Sequence, residues 1–525
     1  MPEISAGLWL IILVPFLIGL AIVLWVAHVL IQERRGRASG DGMAAWRGAS
    51  ARWAKPKDVK HLVLNQGEPV PGRIRLGWLG KYLIGSRQNR SVLVMAPSGS
   101  GKTPRVLVPA VNNHAGPAVV GSVKTDAYWL THQMREQSAS KRGGQVFVFD
   151  PTNFSGLASC RWSPLLGVED YAGATRAADV LVATARPIDS RGMSGQEFWD
   201  SQGRQFVAPL LFAAVKSGSS ITDVLMWMNM TGGDEYVTDL LEQIGDRVAL
   251  AAWNNMLASE PRFLTSVRAT AKSIMEIWGR PEIAETVDIS ADKPLPLLDL
   301  DRLLDDSDST LYLVAPASEQ QTYTPIYETL VNAVLKRFET RAQTAGVPPA
   351  RPLLLAIDEA AQIAPLRRLD EVLSKSAGEG VMPMLVWQSV SQIQKIYGRA
   401  AASTVLANTW AKMYLPGIND PETLRSITDA VGTDMYAARS RNRSATGSSV
   451  SVSYRAEQVA PAWWVRAMSD NQAIAVCGSL SAMRLKIPAW FEDDFLRSQV
   501  DPQAASLFDS YYQPANDQKT RKVSQ

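Results

Sequence analysis

The chain has 525 residues, 46% hydrophobic and 20% charged, with a formal charge of +3. That length and balance exclude a disordered polypeptide and a uniformly basic nucleic-acid-binding domain, so any nucleic-acid contact must come from local patches. Two distant cysteines, Cys160 and Cys477, exclude a disulfide framework or a cysteine metal site and fit a reducing cytosol.

From Leu8 to Ile31 the chain is apolar apart from Pro15, Gly19 and His28. At about 1.5 Å per residue this stretch is longer than a hydrocarbon core of roughly 30 Å. Arg34, Arg35, Arg37, Arg47, Arg52 and Lys55 follow it, whereas only Glu3 precedes it. The positive-inside rule then makes residues 1–33 a single-pass membrane anchor, with the bulk of the chain cytoplasmic. A cleaved signal peptide is disfavoured by the missing basic n-region and cleavage site. Residues 34–72, rich in Gly, Arg, Trp and Lys, read as a juxtamembrane linker.

The run Ser91-Val92-Leu93-Val94-Met95 breaks into Ala96-Pro97-Ser98-Gly99-Ser100-Gly101-Lys102-Thr103. A buried strand, a small-residue loop and a helix start make a phosphate cradle. Ser98, Gly99, Ser100, Gly101, Lys102 and Thr103 are expected to bind ATP through backbone N–H groups and the Lys102 ammonium, with the Thr103 hydroxyl on Mg²⁺. Ala96 stands where the pattern G-x-x-x-x-G-K-[ST] has its first glycine, and Pro104 deletes an amide; together they predict modest nucleotide affinity.

Beyond it, Ala118–Ser122 and Gln145–Asp150 read as strands separated by a helical segment, Thr125–Gln137, so residues 73–170 form the first part of an α/β nucleotide-binding domain with a parallel sheet. Residues 171–295 lose the strand signal and show helical spacing, as in Phe206, Leu210, Leu211, Ala214 and Val215, which predicts an inserted all-α domain. Strands resume at Ser309–Val314, Leu353–Asp358, Met382–Trp387, Lys412–Leu415 and Gln472–Cys477, giving a second part over 296–500. Ala437–Arg455, with six serines and four arginines, reads first as a solvated flexible loop and second as a basic loop touching nucleic acid. Residues 501–525 read as a C-terminal tail whose last dozen residues are polar and disordered.

The run Leu353–Ile357 ends in Asp358-Glu359. Two carboxylates at the end of a buried strand suit phosphoryl transfer, Asp358 holding Mg²⁺ and Glu359 polarising the attacking water. Gln388, ending the next strand, is placed to sense the γ-phosphate. The catalytic set is therefore Glu359, Lys102 and Gln388, and the metal set Thr103 and Asp358.

In order and spacing, residues 90–495 resemble the type IV coupling proteins of conjugative DNA transfer and type IV secretion. The resemblance rests on the Ala96–Thr103 loop, Val123-Lys124-Thr125-Asp126, Val148-Phe149-Asp150-Pro151, Arg161-Trp162-Ser163-Pro164-Leu165 and Glu197-Phe198-Trp199, then Ile357-Asp358-Glu359, Trp387-Gln388-Ser389 with Ser391-Gln392, Tyr397-Gly398 and Asn419-Asp420-Pro421-Glu422-Thr423. It implies a RecA-like P-loop ATPase core with an inserted all-α domain and an N-terminal transmembrane helix, assembled as a homo-hexamer. The implied partners are DNA bound without sequence preference, a relaxase or secreted protein cargo, type IV secretion channel components and the membrane. Two departures stand out. Many family members have two membrane spans where this chain has one candidate, and an arginine that some members carry between the paired carboxylates and the glutamine is replaced by Ser376–Gly380. Arg367, Arg368, Arg399 and Arg425 are the remaining candidates to act on a neighbour's ATP, although each reads first as a solvated or structural arginine. The alternatives are an FtsK-type double-stranded DNA translocase, whose terminal winged-helix reader has no counterpart after residue 495, and a weakly hydrolysing nucleotide-binding adaptor that recruits secretion cargo.

Overall fold

The computed structural model describes residues 51–186, 195–289, 294–305, 307–315, 320–444 and 447–512. The expected anchor at 1–33, the linker up to residue 50 and the last dozen residues lie outside them. Among the described residues no helix is long and apolar enough to cross a membrane. The chain divides into two compact units, Trp53–Ala430 with Ala460–Gln525, and Met1–Arg52 with Val431–Val459.

The larger unit is built on one twelve-stranded sheet. In chain order its strands are β1 (Val63–Leu64), β2 (Arg75–Leu79), β3 (Tyr82–Gly85), β4 (Val92–Met95), β5 (Ala118–Ser122), β6 (Val146–Phe149), β7 (Thr310–Val314), β8 (Leu353–Ile357), β9 (Val381–Trp387) and β10 (Ala411–Tyr414). Strands β11 (Thr433–Ser444) and β12 (Gly447–Gln458) belong to the smaller unit, and β13 (Gln472–Cys477) and β14 (Met483–Lys486) return to the large sheet. Spatially the order is β1-β3-β2-β14-β13-β10-β4-β9-β8-β5-β7-β6. From β10 to β6 all neighbours run parallel. Every residue of β4, β5, β7, β8 and β9 is buried, as expected of parallel strands covered on both faces. The registers Met95↔Trp387 and Ile357↔Leu385 put the carboxyl ends of β4, β9 and β8 side by side. In an open α/β sheet that edge is where ligands bind.

Helices α1 (Val108–Asn112) and α2 (His132–Ser140) join the first strands. Between β6 and β7 come α3 (Tyr171–Ala185), α4 (Gln196–Ser217), α5 (Ile221–Asn229), α6 (Gly233–Ile244), α7 (Arg247–Leu257), α8 (Pro261–Met275) and α9 (Pro281–Val287). Phe206, Leu210, Leu211 and Ala214 of α4 are buried, with the Phe206 ring 5.2 Å from that of Trp253. This helical block belongs to the same compact unit as the sheet. The longer helices after β7 are α10 (Gln320–Ala345), α11 (Leu369–Glu379), α12 (Val390–Asn408), α13 (Pro421–Val431) and α14 (Pro502–Tyr512).

Three readings are corrected. The stretch taken as linker up to residue 72 already carries a 3-10 helix, Pro56–Leu62, and strand β1. Val59 and Leu62 are fully buried there; two anchoring residues within a polar stretch leave no sustained period to read. The start of the expected tail is helix α14, whose Phe508 and Tyr512 pack on a buried cluster with Trp490 and Leu496. Finally, the described residues of the stretch 437–455 are strand, not loop: β11 and β12 pair antiparallel from Thr433↔Gln458 to Ser444↔Gly447. Its Ser-Val-Ser-Val-Ser alternation has the period of a strand, with β-branched residues at every second position.

Candidate functional site

The phosphate loop leaves the buried end of β4. Gly99 and Gly101 take φ of +80° and +77°, a region closed to residues with a Cβ except at a cost, and this lets the loop fold back on itself. Ala96 needs no such freedom. The non-glycine residues with positive φ among those described are Asn89, Asn153, Asp308 and Glu359, so an alanine meets no backbone strain at this position. Ala96 is fully buried, and its N–H donates to the Trp387 carbonyl at 2.8 Å. After Lys102 the helix opens as a π turn, Thr103–Leu107, with the Val108 N–H donating to Thr103 O. Pro109, in the first turn of α1, cannot donate to the carbonyl of Arg105 and its ring crowds it; widening the preceding turn relieves that clash.

Four of the expected site residues converge across the β4–β9–β8 edge. The Lys102 ammonium lies 2.7 Å from Glu359 Oε1 and 3.2 Å from Asp358 Oδ1. The Thr103 hydroxyl donates to Asp358 Oδ2 at 2.9 Å. Burial pushes the Asp358 carboxyl above its ordinary range, opposed by Lys102 and Thr103. Glu359 holds a left-handed backbone, φ 58° and ψ 55°, directly after the strand. A non-glycine residue kept there stores strain, and such residues cluster at functional sites.

The residues fit a magnesium nucleotide. Ser100 Oγ in the loop is a buried atom without a hydrogen-bond partner, Asp358 Oδ1 has the Lys102 ion pair, and Thr103 and Asp358 offer the hard oxygens that Mg²⁺ takes.

Gln388 directly follows β9, the strand between those that carry the phosphate loop and the carboxylates. Its N–H donates to Gln392 Oε1 at 2.9 Å. The loop that carries it is pinned by Asp420, which accepts from Ser391 Oγ at 2.6 Å and from Thr423 N and Oγ1 at 2.9 and 2.6 Å. Thr423 Oγ1 in turn accepts from Val390 N at 2.8 Å. Burial opposes ionisation of Asp420, but the Ser391 and Thr423 donors prevail and hold its carboxyl below the usual range.

Sequence reasoning missed the grip of the C-terminal segment on this edge. Arg105 makes a two-pronged ion pair with Glu492, at 2.6 and 2.8 Å, and the Trp490 N–H donates to the Pro104 carbonyl at 3.0 Å. Tyr512 donates to the buried Asp126 carboxylate at 2.5 Å, and Lys124 donates to the Tyr511 hydroxyl at 3.1 Å. The tail's polar composition hid a helix that packs through Ala504, Ala505, Phe508 and Tyr512.

Other motifs are structural. Asp150 caps its own turn through Thr152, Phe154 and Ser155, and Arg161 donates to the Leu295 and Asp288 carbonyls. Among the arginines proposed to act on a neighbour, Arg367 is committed internally to Glu328 and to the Thr184 and Arg186 carbonyls. Arg368 and Arg425 pair with Glu371 and Glu422 at the surface, and Arg399 is exposed.

Comparison with known proteins agrees with this architecture. The family described as Type IV secretory system Conjugative DNA transfer matches residues 52–513. Protein VirD4 of Agrobacterium fabrum is 22% identical over 502 residues, covering 93% of this chain and 71% of its own. Conjugal transfer protein TraG of Escherichia coli is 23% identical over 428 residues, covering 73% and 64%. Among solved structures, the unbound bacterial conjugative coupling protein TrwBΔN70 superposes with a TM-score of 0.61 at 18% identity, over 84% of this chain and 92% of its own. Plasmid coupling protein TrwB in complex with ADP and Mg²⁺ gives 0.61 at 17% identity, over 84% and 94%. The fold is thus the coupling-protein P-loop α/β fold, and, with the family match spanning nearly all of the described residues, the chain belongs to the type IV secretory system conjugative DNA transfer family.

Proposed function

We propose that the chain is a membrane-anchored type IV coupling protein that hydrolyses ATP to recruit DNA, or a DNA-bound relaxase, and pump it toward a secretion channel. The observation that carries this is the meeting of Lys102 and Thr103 with Asp358 and Glu359 across one sheet edge. Family membership supplies DNA transfer as the task; the nucleotide and Mg²⁺ named in the TrwB complexes support the cofactors. Ser98 to Thr103 would cradle the phosphates, and Thr103 and Asp358 would hold Mg²⁺, which supplies charge neutralisation on the transferred phosphoryl oxygens. Glu359 would orient and polarise water, and Gln388 would sense the γ-phosphate. Sequence-independent contacts to DNA, relaxase or secreted protein cargo, secretion channel components and a homo-hexameric ring complete the proposal. Anchorage through residues 1–33 rests on their sequence alone, as do the boundaries at 170 and 295 between the two parts of the nucleotide-binding domain and the helical insertion.

The test is ATP turnover of the full chain with and without single- and double-stranded DNA, beside Lys102→Ala and Glu359→Gln. DNA-stimulated turnover lost in both variants is the expected result. Turnover absent while nucleotide binds and DNA is ignored would overturn the motor and favour the adaptor.

A further inference from the structure

The smaller unit holds a long two-stranded ribbon that the nucleotide site leaves unexplained. Strands β11 and β12 are twelve residues each, so at about 3.4 Å per residue the ribbon extends about 40 Å. Successive residues alternate between the faces of a ribbon, and directly paired residues share a face. The register therefore places Arg439, Arg441 and Arg443 on one face, with Val452, Val450 and Ser448 opposite them. The other face takes Ser440, Asn442 and Ser444, opposite Ser451, Ser449 and Gly447.

Between Met435 and Ala456 the sequence has four arginines and no acidic residue, in a chain whose 54 basic and 51 acidic residues otherwise nearly cancel. Three of those arginines fall on the same face at intervals of about 6.8 Å, twice the rise of a strand residue. Such a row is the local basic patch that the near-neutral chain needs if it is to hold a polyanion. Evenly spaced cationic positions match a polymer with evenly spaced phosphates better than laterally mobile lipid headgroups, and arginine is the side chain suited to paired hydrogen bonds with phosphate.

We infer that the arginine face of β11–β12 binds the phosphate backbone of the transferred DNA, without reading its sequence. This rests on the DNA-transfer reading above and adds the element that makes the contact. Because a strand's period is two residues, moving each arginine one position along transfers the whole row to the serine face at unchanged net charge.

The experiment measures binding of labelled random-sequence single- and double-stranded oligonucleotides to the full chain in detergent, across 50 to 300 mM salt. The variants are the neutralised set Arg439→Gln, Arg441→Gln, Arg443→Gln, the face exchange R439S/S440R with R441N/N442R and R443S/S444R, and Arg441→Gln alone. Three phosphate contacts contribute a slope of about −2 to −3 in log affinity against log salt, at roughly 0.7 to 0.9 per contact. The neutralised and face-exchanged chains should both lose that part of the slope and at least tenfold in affinity at 100 mM salt, and the single variant about one slope unit. Melting temperature is the folding control; should the triple variants melt early, the single variant's slope decides. Wild-type affinity and slope in the neutralised or face-exchanged chain would overturn the inference while leaving DNA transfer intact, as would an effect confined to anionic lipid vesicles. A wild-type chain that neither binds DNA nor is stimulated by it would sink the DNA-transfer reading itself.

Discussion

The ammonium of Lys102 lies 2.7 Å from Glu359 Oε1, so the cation of the phosphate loop is held by the carboxylate proposed to polarise water. A nucleotide's phosphates must compete with that carboxylate for Lys102. Replacing Glu359 by Gln removes both the polarising group and the competitor. Turnover should fall at least a hundredfold while ATP binds as tightly as in the wild type or tighter. Single-turnover kinetics beside a fluorescent-nucleotide titration checks both halves; weakened binding would contradict the competition.

Ala96 occupies the first glycine position of the loop without needing a left-handed backbone. Ala96→Gly should therefore leave ATP turnover within about twofold and lower stability by about 0.5 to 1 kcal/mol, since glycine adds freedom to the unfolded chain. Thermal melting and a steady-state assay on the same preparation measure the two effects.

Asp420 reaches Gln388 only through Ser391, Thr423 and the turn that they pin. Asp420→Ala should loosen that turn, reducing kcat about tenfold with KM for ATP within twofold, because misplacing a reacting group penalises the transition state more than binding. An equal rise in KM would mean that the turn serves nucleotide affinity instead.

Tyr512 supplies a hydroxyl to the buried carboxylate of Asp126. Removing it in Tyr512→Phe leaves that carboxylate short of a donor, for a loss of about 1 to 3 kcal/mol. Urea unfolding should show the lower midpoint, and Asp126→Asn in the same background should recover part of it.

His114 is buried, and burial first, then the Arg135 guanidinium, lowers its pKa from 6.5 to about 3. The unfolded chain takes up the proton near pH 6.5 whereas the folded chain does not, so this group's stability is complete above pH 6.5 and is lost as pH falls toward 3. At pH 4.5, between the two values, the loss is roughly 3 kcal/mol. A series of urea midpoints from pH 7 to 4.5 should show a steeper acid limb for the wild type than for His114→Asn.

The central sheet was legible because buried parallel strands are short apolar runs whose ends carry chemistry: Val92–Met95 into the phosphate loop, Leu353–Ile357 into Asp358-Glu359, and Val381–Trp387 into Gln388. The ribbon was misread: Arg439, Arg441 and Arg443 alternate with the period of a strand, but serine richness argued for a loop. By contrast, β1, β2, β3 and β14 are two to five residues long, and although β2 pairs with β3 and β14 with β13 locally, their place in the large sheet depends on a pairing far apart in sequence, Lys486 with Trp78.

By itself, then, the amino-acid sequence determined which residues make the phosphate loop, the paired carboxylates and the strand-end glutamine, since each motif is contiguous and its hydrophobic context is local. Tertiary structure alone decided that Lys102 rests on Glu359, that Arg367 is spent on Glu328, and that the chain's end folds back onto Asp126 and Pro104. Those contacts depend on which strand edges adjoin and which polar atoms are left buried there, and neither is written in a local period.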